Sequence, residues 1–334
     1  MNLANLAIIG GGSWGTALAV VLAPKFKEVR LWMHEADLAE RVSATRQNDV
    51  FLPGIQLPER VRITSALSES VEGAAIVLGV MPSHFAREIY QALAPALNKD
   101  MIFVSATKGI ERGSLLRISQ VIEQVLEPRF PPMVAALSGP TFAKEVAQGE
   151  PAAVVVASIQ HEVAAHVQAI FSGPTLRLYT SSDPIGVEVG AALKNVIAIA
   201  AGVCQGLGLG SNTQAALITR GLAEITRLAV AMGGQPKTLA GLAGLGDLVL
   251  TCSGDLSRNR MVGKELAAGK TLTEIVGSMK MIAEGVETCD AAVALGRKFG
   301  VDLPIIDQMY AVLHSAKSPQ EAIRELMERS LKPE

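Results

Sequence analysis

The sequence predicts an α/β domain built on a mainly parallel sheet, followed by an all-helical domain. Short apolar runs alternate with helical spacing from residue 6 to about residue 184, which is typical of strands joined by crossover helices. From residue 185 onward only helical spacing remains. The length of 334 residues also exceeds one ordinary domain. We therefore expect two domains, 1–184 and 185–334, with the boundary at residues 181–184 (Ser-Ser-Asp-Pro).

Seven strands are predicted in the first domain, and all of them are short and rich in β-branched residues. They are residues 6–9, 29–33, 76–80, 102–105, 134–137, 153–157 and 176–179. The last two are expected to close the sheet. Several strands end in small or turn residues, so we expect a ligand to bind at the loops beyond their carboxyl ends.

Seven helices are predicted in the second domain, at residues 185–203, 213–232, 257–268, 271–279, 286–299, 304–314 and 319–330. Two of them have recognisable beginnings. Thr271 with Glu274 fits a capping box, and Ser318 before Pro319 fits an N-cap followed by proline at the first helical position.

Composition and charge exclude several classes of function. The formal net charge is −2, which gives no general attraction to nucleic acid or to an anionic membrane. Cys204, Cys252 and Cys289 lack metal-ligand and redox spacing, and the five histidines are scattered, so we expect reduced thiols and no metal site. The first residues lead directly into a strand without a signal-peptide pattern, and no uncharged apolar run reaches 18 residues. We expect a soluble cytoplasmic protein.

A glycine-rich motif follows the first predicted strand and opens a helix. Gly10, Gly12 and Gly15 form the pattern G-x-G-x-x-G, which allows a tight turn and brings backbone N–H groups and a helix N-terminus to a pyrophosphate. Because the motif lies between a strand and a helix with a second strand beyond, we expect a Rossmann-type dinucleotide-binding domain.

The end of the second strand bears on cofactor choice. NAD-selective folds usually carry Asp or Glu there, whereas this chain has Met33 followed by His34 and Glu35. Nothing at the strand end repels a 2′-phosphate, and His34 could help to bind one, although a solvated His34–Glu35 pair is equally compatible. We expect NADP(H) to be accepted, without excluding NAD(H).

Lys194 is a charged residue in a long apolar helix. Residues 189–201 are apolar on every face apart from Lys194 and Asn195, so the helix belongs in a core. An ammonium there loses hydration, which lowers its pKa toward the range of proton transfer. We expect catalysis on a bound nucleotide cofactor. Asp247, in a glycine-rich stretch that we predict to be a loop, is the natural counter-charge.

Three further groups of polar residues point to a ligand site. Lys108 follows the fourth predicted strand, although a solvated surface lysine is equally compatible. Residues 138–141 (Ser-Gly-Pro-Thr) follow the fifth strand and could equally form a helix cap without a ligand. Residues 257–260 (Ser-Arg-Asn-Arg) offer a guanidinium at a helix N-terminus, which is typical of a phosphomonoester site but also compatible with a capped helix bearing exposed arginines.

Nine strings in order across most of the chain resemble the bacterial NAD(P)-dependent glycerol-3-phosphate dehydrogenases. They are GGGSWGTALA, FLPG, MPSH, TKG, SGPTFAKE, GAALKNVIAIAAG, LITRGLAE, GLGDLVLTC and SRNR. The resemblance implies reversible reduction of dihydroxyacetone phosphate to sn-glycerol 3-phosphate, which supplies the glycerophospholipid backbone. It makes Lys194 the general acid and base, with Asp247 as its orienting partner.

The resemblance also implies the residues that contact each ligand. With the motif glycines, the implied cofactor contacts are Ser13, Trp14, His34, Lys108, Ala143, Arg258, Ile282 and Glu284. The implied substrate contacts are Lys108, Gly139, Thr141, Lys194, Asp247, Ser257, Arg258 and Asn259. A homodimer is expected for a soluble enzyme of this kind.

Two alternatives are compatible with the same sequence. One is a related lysine-dependent NAD(P) reductase of a 3-hydroxy acid or of ketopantoate, whose substrates are carboxylates and would not need the cluster at 257–260. The other is a non-catalytic dinucleotide sensor, which would not need an ammonium in a core helix.

Overall fold

The structure is a computed structural model that describes residues 4–278 and 283–331. Within these residues, eight strands form one sheet in the order β3-β2-β1-β4-β5-β6-β7-β8. The strands are β1 (Asn5–Ile9), β2 (Glu28–Trp32), β3 (Val61–Thr64), β4 (Ala74–Gly79), β5 (Ile102–Ser105), β6 (Met133–Ser138), β7 (Ala152–Ala157) and β8 (Leu176–Ser181). Neighbouring strands run parallel, apart from β6 and β7.

All seven predicted strands are present, and β3 was missed. It has four residues, lies at the edge of the sheet beside β2, and includes the exposed Arg62. Its pattern is therefore too short and too polar to stand out from a loop.

Seven helices cover the two faces of the sheet. They are α1 (Ser13–Leu22), α2 (Ala36–Thr45), α3 (Leu67–Ser70), α4 (Ala86–Leu93), α5 (Ile118–Leu126), α6 (Ala143–Ala147) and α7 (His161–Phe171). Successive residues of β1 point to opposite faces, so Leu6 and Ile8 pack with α1, α2 and α7, while Ala7 and Ile9 pack with α4 and α5. Both faces are buried, which explains the nearly continuous apolar strands.

In the second part of the chain, all regular secondary structure of the described residues is helical. The helices are α8 (Pro184–Gly206), α9 (Ser211–Ala231), α10 (Pro236–Leu239), α11 (Asp247–Ser253), α12 (Arg258–Ala267), α13 (Leu272–Ser278), α14 (Glu284–Phe299), α15 (Pro304–His314) and α16 (Pro319–Met327). The two predicted helix beginnings are confirmed. Thr271 N–H donates to Glu274 (2.8 Å), and Glu321 N–H donates to Ser318 Oγ (3.2 Å).

The prediction of a loop around Asp247 was wrong. Residues Leu242–Gly246 form a π-helical turn that leads directly into α11, and α10 precedes it. Gly244 and Gly246 indicated a loop, but a Cβ atom at Gly244 would lie 2.1 Å from Leu239 O. That glycine therefore allows two backbone segments to pack closely within helical structure.

The central helix α8 is surrounded by other helices. By length and composition it could span a membrane, but its apolar stretch is entirely buried within the protein. It crosses α12 at glycines: a Cβ atom at Gly202 would lie 2.0 Å from Arg260 O, and one at Gly263 would lie 2.0 Å from Ile199 O. The backbones of α8 and α12 are therefore in direct contact.

Buried carboxylates fix the beginning of α8. Asp183 accepts hydrogen bonds from the N–H groups of Gly186 (2.9 Å) and Gln235 (2.8 Å). Glu188 accepts hydrogen bonds from Ser119 N–H (2.8 Å) and Ser119 Oγ (2.6 Å), and these bonds join α8 to α5. The Glu188 contacts hold the helical part of the chain against the α/β part.

Candidate functional site

The glycine motif forms an open cradle between the ends of two parallel strands. Gly10 has φ +123°, and a Cβ atom there would lie 2.9 Å from the Val80 carbonyl group. A Cβ atom at Gly15 would lie 1.9 Å from Gly10 O, whereas one at Gly12 would meet nothing within 4 Å. The chain is therefore packed tightly at Gly10 and Gly15 and open at Gly12, which fits a pyrophosphate that approaches the backbone there.

The first turn of α1 completes this cradle. The helix begins at Ser13, its N-cap is Gly12, and no side chain caps it. The indole N–H of Trp14 is buried without a hydrogen-bond partner in the described parts of the chain. These features fit the predicted dinucleotide, because an uncapped helix N-terminus favours a bound anion.

The residues after β2 are one buried apolar residue followed by two exposed polar ones. Met33 is buried and packs against Gly11, while His34 and Glu35 are both exposed. The His34 ring meets the Trp32 ring edge-on with a centroid separation of 5.9 Å. The strand end thus carries an apolar side chain where NAD-selective folds carry a carboxylate.

The structure brings Lys194 and Asp247 together. Lys194 is 4% exposed and Asp247 is fully buried. Lys194 Nζ forms an ion pair with Asp247 Oδ1 and donates to Thr251 Oγ1 at 2.9 Å. Thr251 lies one turn after Asp247 on α11, and its own hydroxyl donates to Asp247 O at 2.6 Å. The ammonium is therefore held between two side chains of the same helix.

A second lysine approaches the same carboxylate from the α/β domain. Lys108 Nζ lies 3.2 Å from Asp247 Oδ2, and Ser138 Oγ donates to that oxygen at 3.3 Å. The Lys108 side chain is 19% exposed, so it is not a solvated surface lysine. Asp247 thus lies between two ammonium groups, one from each part of the fold.

Burial and charge set the protonation of this cluster. The pKa of Lys194 is lowered to about 7, chiefly by burial; Asp247 opposes this effect, and the charge of Lys108 adds to it. Burial alone would raise the pKa of Asp247, but the two ammonium groups outweigh it and hold that pKa below its usual range. Asp247 therefore stays ionised, and Lys194 can exchange a proton near neutral pH.

The N-terminus of α12 presents a guanidinium that has no hydrogen-bond or ion-pair partner among the described residues. Arg258 is half-buried and makes no hydrogen bond or ion pair with the residues that the structure describes. Burial lowers its pKa, and Glu284 opposes that effect. Arg260 is instead buried and paired with Asp255. The alternative of two exposed arginines is therefore wrong, and of the two it is Arg258 that can bind an anion.

The neighbours of Arg258 serve as caps. Ser257 Oγ accepts from Arg260 N–H at 3.3 Å and is the N-cap of α12. Asn259 Oδ1 accepts from Gly285 N–H at 2.9 Å and so joins α12 to the start of α14. Both side chains fix the helix N-terminus next to Arg258.

Glu284 links the two parts of the fold near the predicted cofactor site. Its Oε2 accepts a hydrogen bond from Ser83 Oγ at 3.2 Å and lies beside Gly109. Burial raises the pKa of Glu284 to about 7. Ile282, the other predicted late contact, lies outside the described residues.

The turn after β6 packs against the opening of the site. A Cβ atom at Gly139 would lie 2.8 Å from Val154 Cα, so a larger residue does not fit there. Thr141 Oγ1 donates to Gly139 O at 3.2 Å, and Ala143 begins α6, which packs on α1. The turn therefore lies between the glycine motif and Asp247, and no side chain of the turn caps α6.

Sequence reasoning missed Thr251 and Ser138 as members of the Lys194 cluster. Thr251 is four residues after Asp247, which places both on one face of a helix, but α11 itself was not predicted. In the described chain, no three His, Cys, Asp or Glu side chains form a group that could hold a metal ion.

Comparison with known proteins identifies the family of the chain. A model of the NAD-dependent glycerol-3-phosphate dehydrogenase N-terminus matches residues 5–164, and one of the C-terminus matches residues 183–324. The chain is 55% identical to a glycerol-3-phosphate dehydrogenase (NAD(P)+) from Koribacter versatilis over 329 residues, covering 98% of each. The chain belongs to the NAD-dependent glycerol-3-phosphate dehydrogenase family.

Solved structures agree with this assignment. The crystal structure of glycerol-3-phosphate dehydrogenase from Coxiella burnetii superimposes with a TM-score of 0.94 at 39% identity, covering 98% of this chain and all of that one. The predicted fold class, a Rossmann-type α/β domain followed by a helical domain, is confirmed. The family resemblance drawn from the nine strings is also confirmed.

Proposed function

We propose that this protein reversibly reduces dihydroxyacetone phosphate to sn-glycerol 3-phosphate with NAD(P)H, and so supplies the glycerophospholipid backbone. The observation that carries the proposal is the buried Lys194–Asp247 pair, with Arg258 on the adjoining helix forming no hydrogen bond or ion pair with the described residues. Family membership supports the same reaction. A non-catalytic sensor would not need a buried ammonium that can exchange its proton near neutral pH.

The glycine cradle and the first turn of α1 are proposed to hold the cofactor's pyrophosphate. When bound, the nicotinamide supplies the hydride that reduces the ketone. The proposed contacts are Gly10, Gly12, Ser13, Trp14, Gly15, His34, Lys108, Ala143, Arg258 and Glu284, together with Ile282. The buried Met33 and the exposed His34 favour acceptance of NADP(H) as well as NAD(H).

Lys194 is proposed as the general acid of the reduction and the general base of the oxidation. An ammonium has three N–H groups, and Asp247 and Thr251 accept two of them. The third is left for the substrate oxygen at C2, where it gives a proton to the developing alkoxide. A positioned acid of this kind contributes about 10²–10⁴-fold to the rate.

The N-terminus of α12 is proposed to bind the phosphate of the substrate. Arg258 supplies a guanidinium fork, and the helix N-terminus next to it favours a dianion. Gly139 and Thr141 from the turn after β6, with Lys108, Ser257 and Asn259, complete the proposed substrate contacts. Binding energy from the phosphate then positions the carbonyl against Lys194.

Steady-state kinetics test the proposal. Reduction of dihydroxyacetone phosphate should exceed reduction of ketopantoate or a 3-oxo acid by at least about a thousandfold in kcat/KM, because those acids lack the phosphate that Arg258 would bind. Lys194→Ala should lower kcat at least about a hundredfold while the Kd for NADPH stays nearly unchanged. Lys298→Ala, an exposed lysine on α14, is the matched control. More than a tenth of the kcat remaining in Lys194→Ala would contradict the assignment.

We also propose a cytoplasmic homodimer that binds no nucleic acid and does not insert into membranes. The three cysteines are free and buried, which supports a reducing compartment. Light scattering coupled to gel filtration should give twice the chain mass of 35.0 kDa. A mass equal to one chain would contradict the dimer.

A further inference from the structure

The segment between α2 and β3 contains the FLPG string, to which the proposed mechanism assigns no role. Gln47 and Gln56 form an isolated antiparallel bridge that closes this loop. Leu57 N–H donates to Arg46 O at 2.8 Å just outside the bridge. Leu52 is buried against the domain. The segment is therefore a folded loop with its own anchors, which we call the 47–56 loop.

Asn48 is the fully buried polar residue of the 47–56 loop. Its Nδ2 group donates to Gly11 O at 2.8 Å and to Thr16 Oγ1 at 2.9 Å. Its Oδ1 accepts from Phe51 N–H at 3.1 Å. The reverse amide orientation would place Oδ1 against the Gly11 carbonyl oxygen, so the contacts define which way the side chain points.

A second contact joins the same loop to the glycine motif. Ser13 Oγ donates to Phe51 O at 2.6 Å. Since Asn48 binds Gly11 and Phe51 binds Ser13, the 47–56 loop holds both sides of Gly12. Gly12 is the position at which the backbone is open to a ligand.

The contact at Gly11 O determines the direction of a neighbouring donor. A trans peptide is planar, with its N–H antiparallel to its C=O. When Asn48 fixes the Gly11 carbonyl, it also fixes the Gly12 N–H on the opposite side of that peptide. The first hydrogen bond within α1 is Thr16 N–H to Gly12 O (2.9 Å), so earlier N–H groups are not used by the helix itself.

We infer that Asn48 is a positioning residue for the dinucleotide: it orients the Gly11–Gly12 peptide so that the Gly12 N–H faces the pyrophosphate. This inference rests on the proposed role of the glycine motif in cofactor binding. Without Asn48, the buried Gly11 carbonyl loses its shorter hydrogen bond (2.8 Å) and keeps the longer one from Thr16 Oγ1 (3.3 Å), so the peptide can rotate away from the orientation that the pyrophosphate needs.

Asn48→Ala tests the inference by separating cofactor binding from the chemical step. The Kd and KM for NADPH should rise about tenfold to a hundredfold. The kcat at saturating NADPH and the KM for dihydroxyacetone phosphate should stay within about twofold, because Asn48 contacts neither Lys194 nor Arg258. Asn48→Asp, which keeps the volume but removes the donors, should show the same pattern and serves if the alanine variant does not fold.

Two further variants test whether a rise in the KM for NADPH is specific to loss of the Asn48 contact with Gly11. Thr16→Val removes the longer bond from Thr16 Oγ1 to Gly11 O (3.3 Å) but keeps the shorter one from Asn48 (2.8 Å), so the KM for NADPH should rise less than about threefold. Ser158→Ala is the matched control, because Ser158 is buried and donates to Val134 O (2.7 Å) at the opposite end of the strands. It should lower Tm without changing the KM for NADPH.

The outcomes separate this inference from the proposed function. If both Asn48 variants bind NADPH and NADH as tightly as the wild type and only Tm falls, Asn48 has a structural role and the inference is overturned. If the wild-type protein itself binds neither dinucleotide, the proposed function fails and the inference fails with it.

Discussion

Replacing Asp247 by Asn tests whether two lysines depend on one buried carboxylate. The substitution keeps the side-chain volume and removes the charge that lies between Lys194 and Lys108. The pKa of Lys194 should then fall, because burial and Lys108 both lower it and the opposing charge of Asp247 is gone. At neutral pH, Lys194 in the variant should be mainly neutral.

The size of the effect follows from Coulomb's law. Two charges about 4 Å apart interact with about 4 kcal/mol at an effective dielectric constant of 20. That energy corresponds to roughly a thousandfold change in a protonation equilibrium. Because Lys108 shares the carboxylate, part of the attraction to Lys194 is already offset. We therefore expect the titration of Lys194 to move down by at least about one pH unit.

The assay is the pH dependence of kcat for NADPH-dependent reduction between about pH 5 and pH 10. Reduction needs the Lys194 ammonium, so the wild-type rate should be full at low pH and fall as pH rises through about 7. In Asp247→Asn the fall should occur at lower pH, with kcat at pH 8 reduced at least about tenfold, because a shift of one pH unit lowers the ammonium fraction at pH 8 by that factor. Oxidation needs neutral Lys194, so its rate should rise with pH through the same range.

Lys108→Met provides a test of opposite sign. Removing this neighbouring positive charge should raise the pKa of Lys194 and move the fall in reduction rate to higher pH. An Asp247→Asn profile that keeps its wild-type position, or moves upward, would refute the charge coupling described here. A shift of the pH profiles of Asp247→Asn and Lys108→Met in the same direction would also refute it.

Two other predictions concern further buried titratable groups. Glu224 accepts from the first two N–H groups of α15 (2.8 and 3.3 Å), and burial raises its pKa from 4.5 to about 7. Because the folded protein binds this proton more tightly than the unfolded chain, the proton stabilises the fold fully below pH 4.5, and this stabilisation is lost as pH rises through about 7. Glu224→Gln should therefore flatten the dependence of Tm on pH in that window. An unchanged slope would contradict this prediction. The three cysteine thiols are buried and their pKa values are raised: Cys204, Cys252 and Cys289. A disulfide reagent should therefore label them only after the protein unfolds. Rapid labelling of the native protein would contradict this burial.

The parts of the fold with local signals could be predicted from the sequence. The glycine motif lies between a strand and a helix, and Lys194 stands out against apolar neighbours, so each is recognisable within a short stretch. The strand β3 was missed because Arg62 interrupts its four residues at a sheet edge. The helix α11 was missed because the glycines before it are equally typical of a loop.

The partners within the site could not be predicted, because they come from distant positions. Thr251 is 57 residues from Lys194, Ser138 is 109 residues from Asp247, and Asn48 is 37 residues from Gly11. Serine, threonine and asparagine are common at caps and turns, so their sequence positions carry no signal of a tertiary contact. The residue types that supply the chemistry are visible in the sequence, whereas their supporting hydrogen bonds depend on the fold.

The glycine contacts between α8 and α12 have a consequence for substrate length. Lys194 projects from α8 and Arg258 from the start of α12, and the two main chains touch at Gly202 and Gly263. Neither helix can move closer, and no side chain at the crossing can repack to change the separation. The separation of the two helix backbones that carry the proposed proton donor and the proposed phosphate ligand is thus fixed at these glycines. Selectivity for a three-carbon phosphate would then depend partly on Gly202 and Gly263, which have no side chain and take no part in the reaction.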